Sequence, residues 1–110
     1  MGEDNRLNNR IDFHLEVVVK GYPGIKKTRN FSTSGIYIEL EDPSRFKLRQ
    51  RVELVTRFPL EKKIMKIKGE VAHINQSGIG VKFVDLWGSN LDAVENTFRI
   101  FQATYPLPGT

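Results

Sequence analysis

Apolar and polar residues alternate along most of the chain before Trp87, and the phase of that alternation marks out strands. In FHLEVVV at 13–19, Phe13, Leu15, Val17 and Val19 share one face while His14, Glu16 and Val18 share the other, as in a half-buried strand. GYPG at 21–24 is turn chemistry, because proline presets φ and glycine accepts positive φ. GIYIEL at 35–40 is a second strand, rich in β-branched and aromatic residues and broken by EDPS at 41–44. Strand patterns follow in RVELVTRF at 51–58, in KIMKIKGEVAHIN at 63–75 and, beyond the turn QSG, in IGVKFVDL at 79–86. Five or six antiparallel strands in so short a span predict a barrel or a sandwich, since closure disposes of exposed sheet edges.

The period changes after Trp87. Leu91, Val94, Phe98, Phe101 and Tyr105 recur at helical spacing, which predicts a helix over about 89–105 with Ser89 as its N-cap. Pro106 and Pro108 stop it. Its apolar stripe is expected to pack on the chain's own strands. The polar segment 1–11 reads as a flexible arm ahead of a single domain spanning 12–110, with no internal repeat, linker or low-complexity segment.

Composition narrows the functions. No apolar run approaches the roughly 20 residues of a membrane span, and MGEDNRLNN lacks the apolar stretch of a secretory signal. A soluble cytoplasmic protein without membrane insertion is therefore expected. Gly2 does not signal myristoylation, because Arg6 stands where serine or threonine is needed. With no cysteine, disulfides and thiolate metal sites are excluded, and His14 and His73 alone make a histidine cluster an unsuitable reading, so no metal is expected. Seventeen Lys and Arg against 13 Asp and Glu give a formal charge of +4, which suits an anionic partner without identifying one.

Two polar stretches do not look like core. RLNNR at 6–10 places two arginines four residues apart, and NFSTSG at 30–35 separates two strand patterns. A hairpin centred between Tyr22 and Pro23 opposes Asn30 to Leu15 and Gly35 to Arg10, which would make the two stretches halves of one site. Arginine presents a planar fork of donors that pairs bidentately with phosphate or with the O6 and N7 edge of guanine. Asn30 offers a donor and an acceptor, Ser32 and Ser34 offer hydroxyls, and Gly35 permits close approach. Together with Arg6 and Arg10 they suit an anionic, purine-bearing ligand. No nucleophile and base pair accompanies them, so an enzyme is not expected.

The two motifs in this order resemble the signature of the PilZ domain, R-x-x-x-R followed by [D/N]-x-S-x-x-G, with 20 residues from Arg10 to Asn30. GEVAHINQSGIGVKFVDL at 69–86 is similar to the family's last two barrel strands. The resemblance implies a six-stranded antiparallel β-barrel with a C-terminal α-helix, acting as a bacterial receptor for cyclic di-GMP, often bound as an intercalated dimer. It implies that Arg6 and Arg10 clamp phosphates and guanine edges, and that Asn30, Ser32 and Gly35 hold the guanine and ribose side. It also implies a change of conformation or surface on binding that signals to a downstream protein partner, with motility, pilus function, exopolysaccharide secretion and virulence as the processes the family regulates. The ligand is the only small molecule required, no nucleic-acid polymer is expected, and the chain is expected to be a monomer or weak dimer.

Two positions depart from the family pattern. Asn5 precedes Arg6 where many members have paired arginines, which favours weaker binding or a monomeric ligand. His73 stands where some members carry an aromatic that stacks on a guanine; it either stacks or is a strand residue facing solvent. Two other classes remain open: a ligand-independent PilZ-like protein adaptor, and a small nucleic-acid-binding barrel using Lys26, Lys27, Arg29, Lys62, Lys63, Lys66 and Lys68. The run EKKIMKIKGE lacks the interleaved aromatics that stack on single strands, which argues against the last.

Overall fold

The architecture comes from a computed structural model that describes residues 14–58 and 64–104, with the side chains of 101–104 outside the description. Six strands form a closed antiparallel barrel: β1 Glu16–Val19, β2 Lys26–Arg29, β3 Gly35–Glu39, β4 Arg51–Thr56, β5 Met65–Asn75 and β6 Gly78–Phe83. The order around the barrel is β1-β2-β3-β6-β5-β4, and β4 returns to β1 through Val17↔Thr56, Val18↔Val55 and Val19↔Leu54. A 3-10 turn, Pro43–Arg45, precedes β4, and one helix, α1 Gly88–Thr104, follows β6. The barrel, rather than the sandwich, is the form taken.

The alternation in sequence becomes the inside and outside of this barrel. Leu15, Val17 and Val19 are buried, as are Ile36 and Ile38, Leu54 and Thr56, Met65, Ile67 and Val71, and Ile79 and Val81. At one end of the barrel Phe31 is fully enclosed, with ring centroids 6.4 Å from Phe58, 6.4 Å from Phe83 and 6.3 Å from Phe98. The helix closes that end with Ala93 and Val94, both buried in the same core, so its apolar face does pack on its own strands. Thr97 shares the buried face, and Leu91 lies only half-buried.

Four local expectations are corrected or fall on residues outside those described. The first hairpin pairs Glu16↔Lys27 and Val17↔Lys26, a register two residues from the one centred on Tyr22 and Pro23. Tyr22 is an anchor rather than a turn tip: its N–H donates to the Val19 carbonyl at 2.9 Å and its ring packs 4.6 Å from Phe46. Gly21 and Gly24, at φ +85° and +93°, carry the reversal around it. The helix is entered through Gly88 at φ +63°, with the Leu91 N–H donating to the Trp87 carbonyl at 3.4 Å, so the helix bounds take in Ser89 rather than starting after it. The arm at 1–11 and the helix position Tyr105 lie outside the described residues.

The seam between β3 and β6 is unusually close at Gly35, which faces Lys82. A Cβ built there would overlap the Val81 carbonyl oxygen, so only glycine allows the two backbones to meet. Gly35→Ala is expected to lower unfolding free energy by about 1–3 kcal/mol through overpacking. Phe31→Ala, which empties the enclosed aromatic cluster, is expected to cost about 3–5 kcal/mol. Urea denaturation followed by circular dichroism measures both; an unchanged midpoint for either variant contradicts this account of the fold.

Candidate functional site

The segment NFSTSG links β2 to β3, and its odd member is Phe31. By plunging into the aromatic cluster, Phe31 pins a polar loop to the core and leaves Asn30 on one side and Ser32 on the other. Asn30 is exposed and takes φ +55°, a left-handed conformation that asparagine tolerates better than most residues. Ser32 is buried and turns inward upon its own loop. Its backbone N–H donates to the Gly35 carbonyl at 2.9 Å, and its hydroxyl accepts the N–H groups of Ser34 and Gly35, each at 3.2 Å. The Ser34 hydroxyl stands 3.1 Å from that of Ser32. Ser32 therefore shapes the loop, while Ser34 is presented at the surface.

The outer face beside this loop is set by the ladders. Tyr37 on β3 opposes Gly80 on β6, and Gly80 opposes His73 on β5. Two strand spacings, about 10 Å of backbone, thus separate two ring-bearing residues with a glycine between them. In the next row Gly35 opposes Lys82. The result is a surface groove of about 390 Å³ lined by Asn30, Ser34, Gly35, Tyr37, His73 and Lys82, among others. A side chain at Gly80 would begin to fill it, its Cβ meeting that of His73 at 3.3 Å.

His73 reaches this face because of a β-bulge. Along β5, Met65, Ile67 and Val71 point inward, so strict alternation would send residue 73 inward too. The register shift between Val71 and His73 inserts Ala72 and reverses the phase, leaving His73 exposed and Ile74 half-buried. Tyr37, on the same outer face, is buried. The Tyr37 hydroxyl donates to Asn75 Oδ1 at 2.6 Å and lies 2.7 Å from Ser77 Oγ, while the Arg29 guanidinium covers the ring at 4.9 Å from its centroid. Arg29 Nε also stands 3.6 Å from Glu39 Oε2.

The structure thus brings together Asn30, Ser34, Gly35 and His73, and keeps Ser32 beneath them as a support. Arg6 and Arg10 lie outside the described residues. What is described is the root of the segment that carries them. Leu15 is tied to β2 by the Thr28 side chain: the Leu15 N–H donates to Thr28 Oγ1 at 2.9 Å, and Thr28 Oγ1 donates to the Leu15 carbonyl at 2.7 Å. His14 Nδ1 lies 3.0 Å from the Thr28 carbonyl.

Tyr37 and Lys82 line the same groove, and the motif reading passes over them. The parity of GIYIEL, with Ile36 and Ile38 inward, already points Tyr37 outward. The shift of apolar positions from odd to even between Val71 and Ile74 was the signal of the bulge. A larger concavity, about 1000 Å³, lies elsewhere on the outer faces of β1, β2 and β4 and holds none of these motif residues. Among the described residues no group of His, Cys, Asp or Glu could hold a metal ion, and no helix is long and apolar enough to cross a membrane.

Comparison with solved structures finds similarity to the Bacillus subtilis inhibitor of motility, MotI/DgrA, with a TM-score of 0.69 and 19% sequence identity. The match covers 88% of this chain and 51% of that one, so the chain spans about half the length of that protein, and the likeness is one of fold. No curated protein matches. The family model described as the PilZ domain matches residues 4–96, a span that takes in both motifs and all six strands; the chain belongs to the PilZ domain family.

Proposed function

We propose that this chain is a cyclic di-GMP receptor that signals to a partner protein by changing its surface when the ligand binds. The observation that carries the reading is the convergence of Asn30, Ser34, Gly35, Tyr37, His73 and Lys82 on one groove. Each supplies something that a cyclic dinucleotide requires. The Asn30 amide offers a donor and an acceptor to a base edge, and Lys82 supplies a cation for a phosphate. His73 offers an exposed ring face across the side-chain-free floor at Gly80 from Tyr37, which is buried and walls the groove. Arg6 and Arg10 are assigned to phosphates and guanine edges by their motif, and Ser32 to holding Ser34 and Gly35 in place. The site binds rather than transforms its ligand.

One observation favours a second role. Trp87 is 76% exposed and Ile64 58%, and the larger concavity is lined by Val18, Ile25, Val55 and Ile64 with Lys27 and Arg57 at its border. Apolar exposure of this kind marks contact surfaces. A protein adaptor that needs no nucleotide would use such a surface alone; a receptor would use it for its partner.

Isothermal titration with cyclic di-GMP, using GTP and cyclic GMP as controls, separates the two. Micromolar or tighter binding specific to the cyclic dinucleotide is expected. Arg10→Ala should weaken it by about 10-fold to 150-fold, the loss of one charge-assisted contact of about 1.5–3 kcal/mol. Ser32→Ala should weaken it as well, by releasing the loop. An absence of heat at high ligand concentration, or an Arg10→Ala variant that binds like the parent, overturns the receptor reading; the former moves the function to the adaptor.

A further inference from the structure

We infer that Thr28 is a positioning residue for this site: its buried hydroxyl sets the separation between the chain entering β1 and the strand leading to Asn30. The inference rests on the groove being the cyclic di-GMP site, and it concerns how the two motifs are held in relation to each other.

Continuing the observed register one step beyond Glu16↔Lys27 opposes Leu15 to Thr28. In an ordinary hydrogen-bonded antiparallel pair, the N–H and C=O of one residue bond to the backbone of the other. Here both polar groups of Leu15 bond to the Thr28 side chain instead, at 2.9 and 2.7 Å. A hydroxyl can do this because it donates and accepts at once. The Thr28 carbonyl in turn faces the His14 ring at 3.0 Å. Side chains therefore occupy the space where the backbone ladder would continue, and β1 and β2 part after Lys27.

The parting lies between the motifs. Arg10 is five residues before Leu15 in the chain, and Asn30 is two residues after Thr28. Thr28 is fully buried, so water does not substitute for its hydroxyl. Valine has nearly the same shape and lacks the hydroxyl. Thr28→Val leaves the Leu15 N–H and C=O without their partner, or lets β1 close onto β2 to regain backbone bonds. Either result changes where the preceding chain leaves the barrel. Serine keeps the hydroxyl and should keep the separation. His14, with an exposed side chain, braces the same gap from the other strand.

The test compares the full parent chain with Thr28→Val, Thr28→Ser and His14→Ala, each first shown to be folded by circular dichroism. Titration with cyclic di-GMP gives affinity. A nitroxide on Asn8→Cys, unique because the chain has no cysteine, gives paramagnetic broadening at the amides of Ser34, Gly35 and Gly80 and needs no ligand. Thr28→Val is expected to lose affinity by about tenfold or more and to alter the broadening, with Thr28→Ser within about threefold of the parent. Should Thr28→Val not fold, His14→Ala carries the test, with altered broadening and a loss of about threefold expected. Parent-like affinity and broadening in a folded Thr28→Val, or in His14→Ala where it stands in, overturn the inference. So does a Thr28→Ser variant as impaired as a folded Thr28→Val. If the parent itself does not bind cyclic di-GMP, the receptor reading fails, and the broadening alone decides whether Thr28 positions the arm.

Discussion

The burial of one aromatic ring, Phe31, organises the rest of this molecule. Without it, the polar loop between β2 and β3 would be held only by hydrogen bonds that water can replace. Packed among Phe58, Phe83 and Phe98, it ties together the ends of β4 and β6 and the helix, and at the same time fixes the loop from which Asn30 and Ser34 are displayed. Core formation and loop presentation are thus one event. The helix takes part through Ala93 and Val94, which close the barrel end where the ring sits.

A barrel wall is ordinarily a smooth, pleated surface, and two local departures turn this one into a receptacle. Gly80 leaves a gap between its cross-strand neighbours Tyr37 and His73. The bulge at Ala72 then turns His73 outward to border that gap. The network of Tyr37, Asn75 and Ser77 adds rigidity: Asn75 Oδ1 also accepts the N–H groups of Ser77 and Gly78 at 2.9 and 3.1 Å, so the β5–β6 turn and the groove wall share one acceptor. Preorganised walls lower the ordering cost of binding.

Much of this was legible in the chain, and the exceptions have physical reasons. The strand faces and the helix follow from apolar periodicity, because burial demands it. The barrel with its terminal helix followed from the family resemblance carried by RLNNR and NFSTSG. The short strand β2, KKTR, carries a single buried residue, Thr28, and so leaves little hydrophobic signal. The hairpin register was missed by two residues because the packing of Tyr22 on Phe46 is a tertiary contact that turn chemistry does not encode. The helix bounds open one residue before Ser89, at Gly88, whose positive φ turns the chain out of β6 in a way that capping preference does not encode. Ser32 was legible as a motif member but not as a buried one; its partners are backbone groups of its own loop, which spacing alone does not reveal.

On β3 and β6, successive residues answer to different demands. Ile36, Ile38, Ile79 and Val81 face the interior, whereas Tyr37, Gly80 and Lys82 border the groove. Exposed outer residues such as Lys82 can therefore change over evolutionary time while the inner set preserves the fold. Gly35 is the exception. Lining the groove and allowing a close approach of two backbones, it answers to both demands at once, and a lineage released from any demand at the groove would still have cause to keep it.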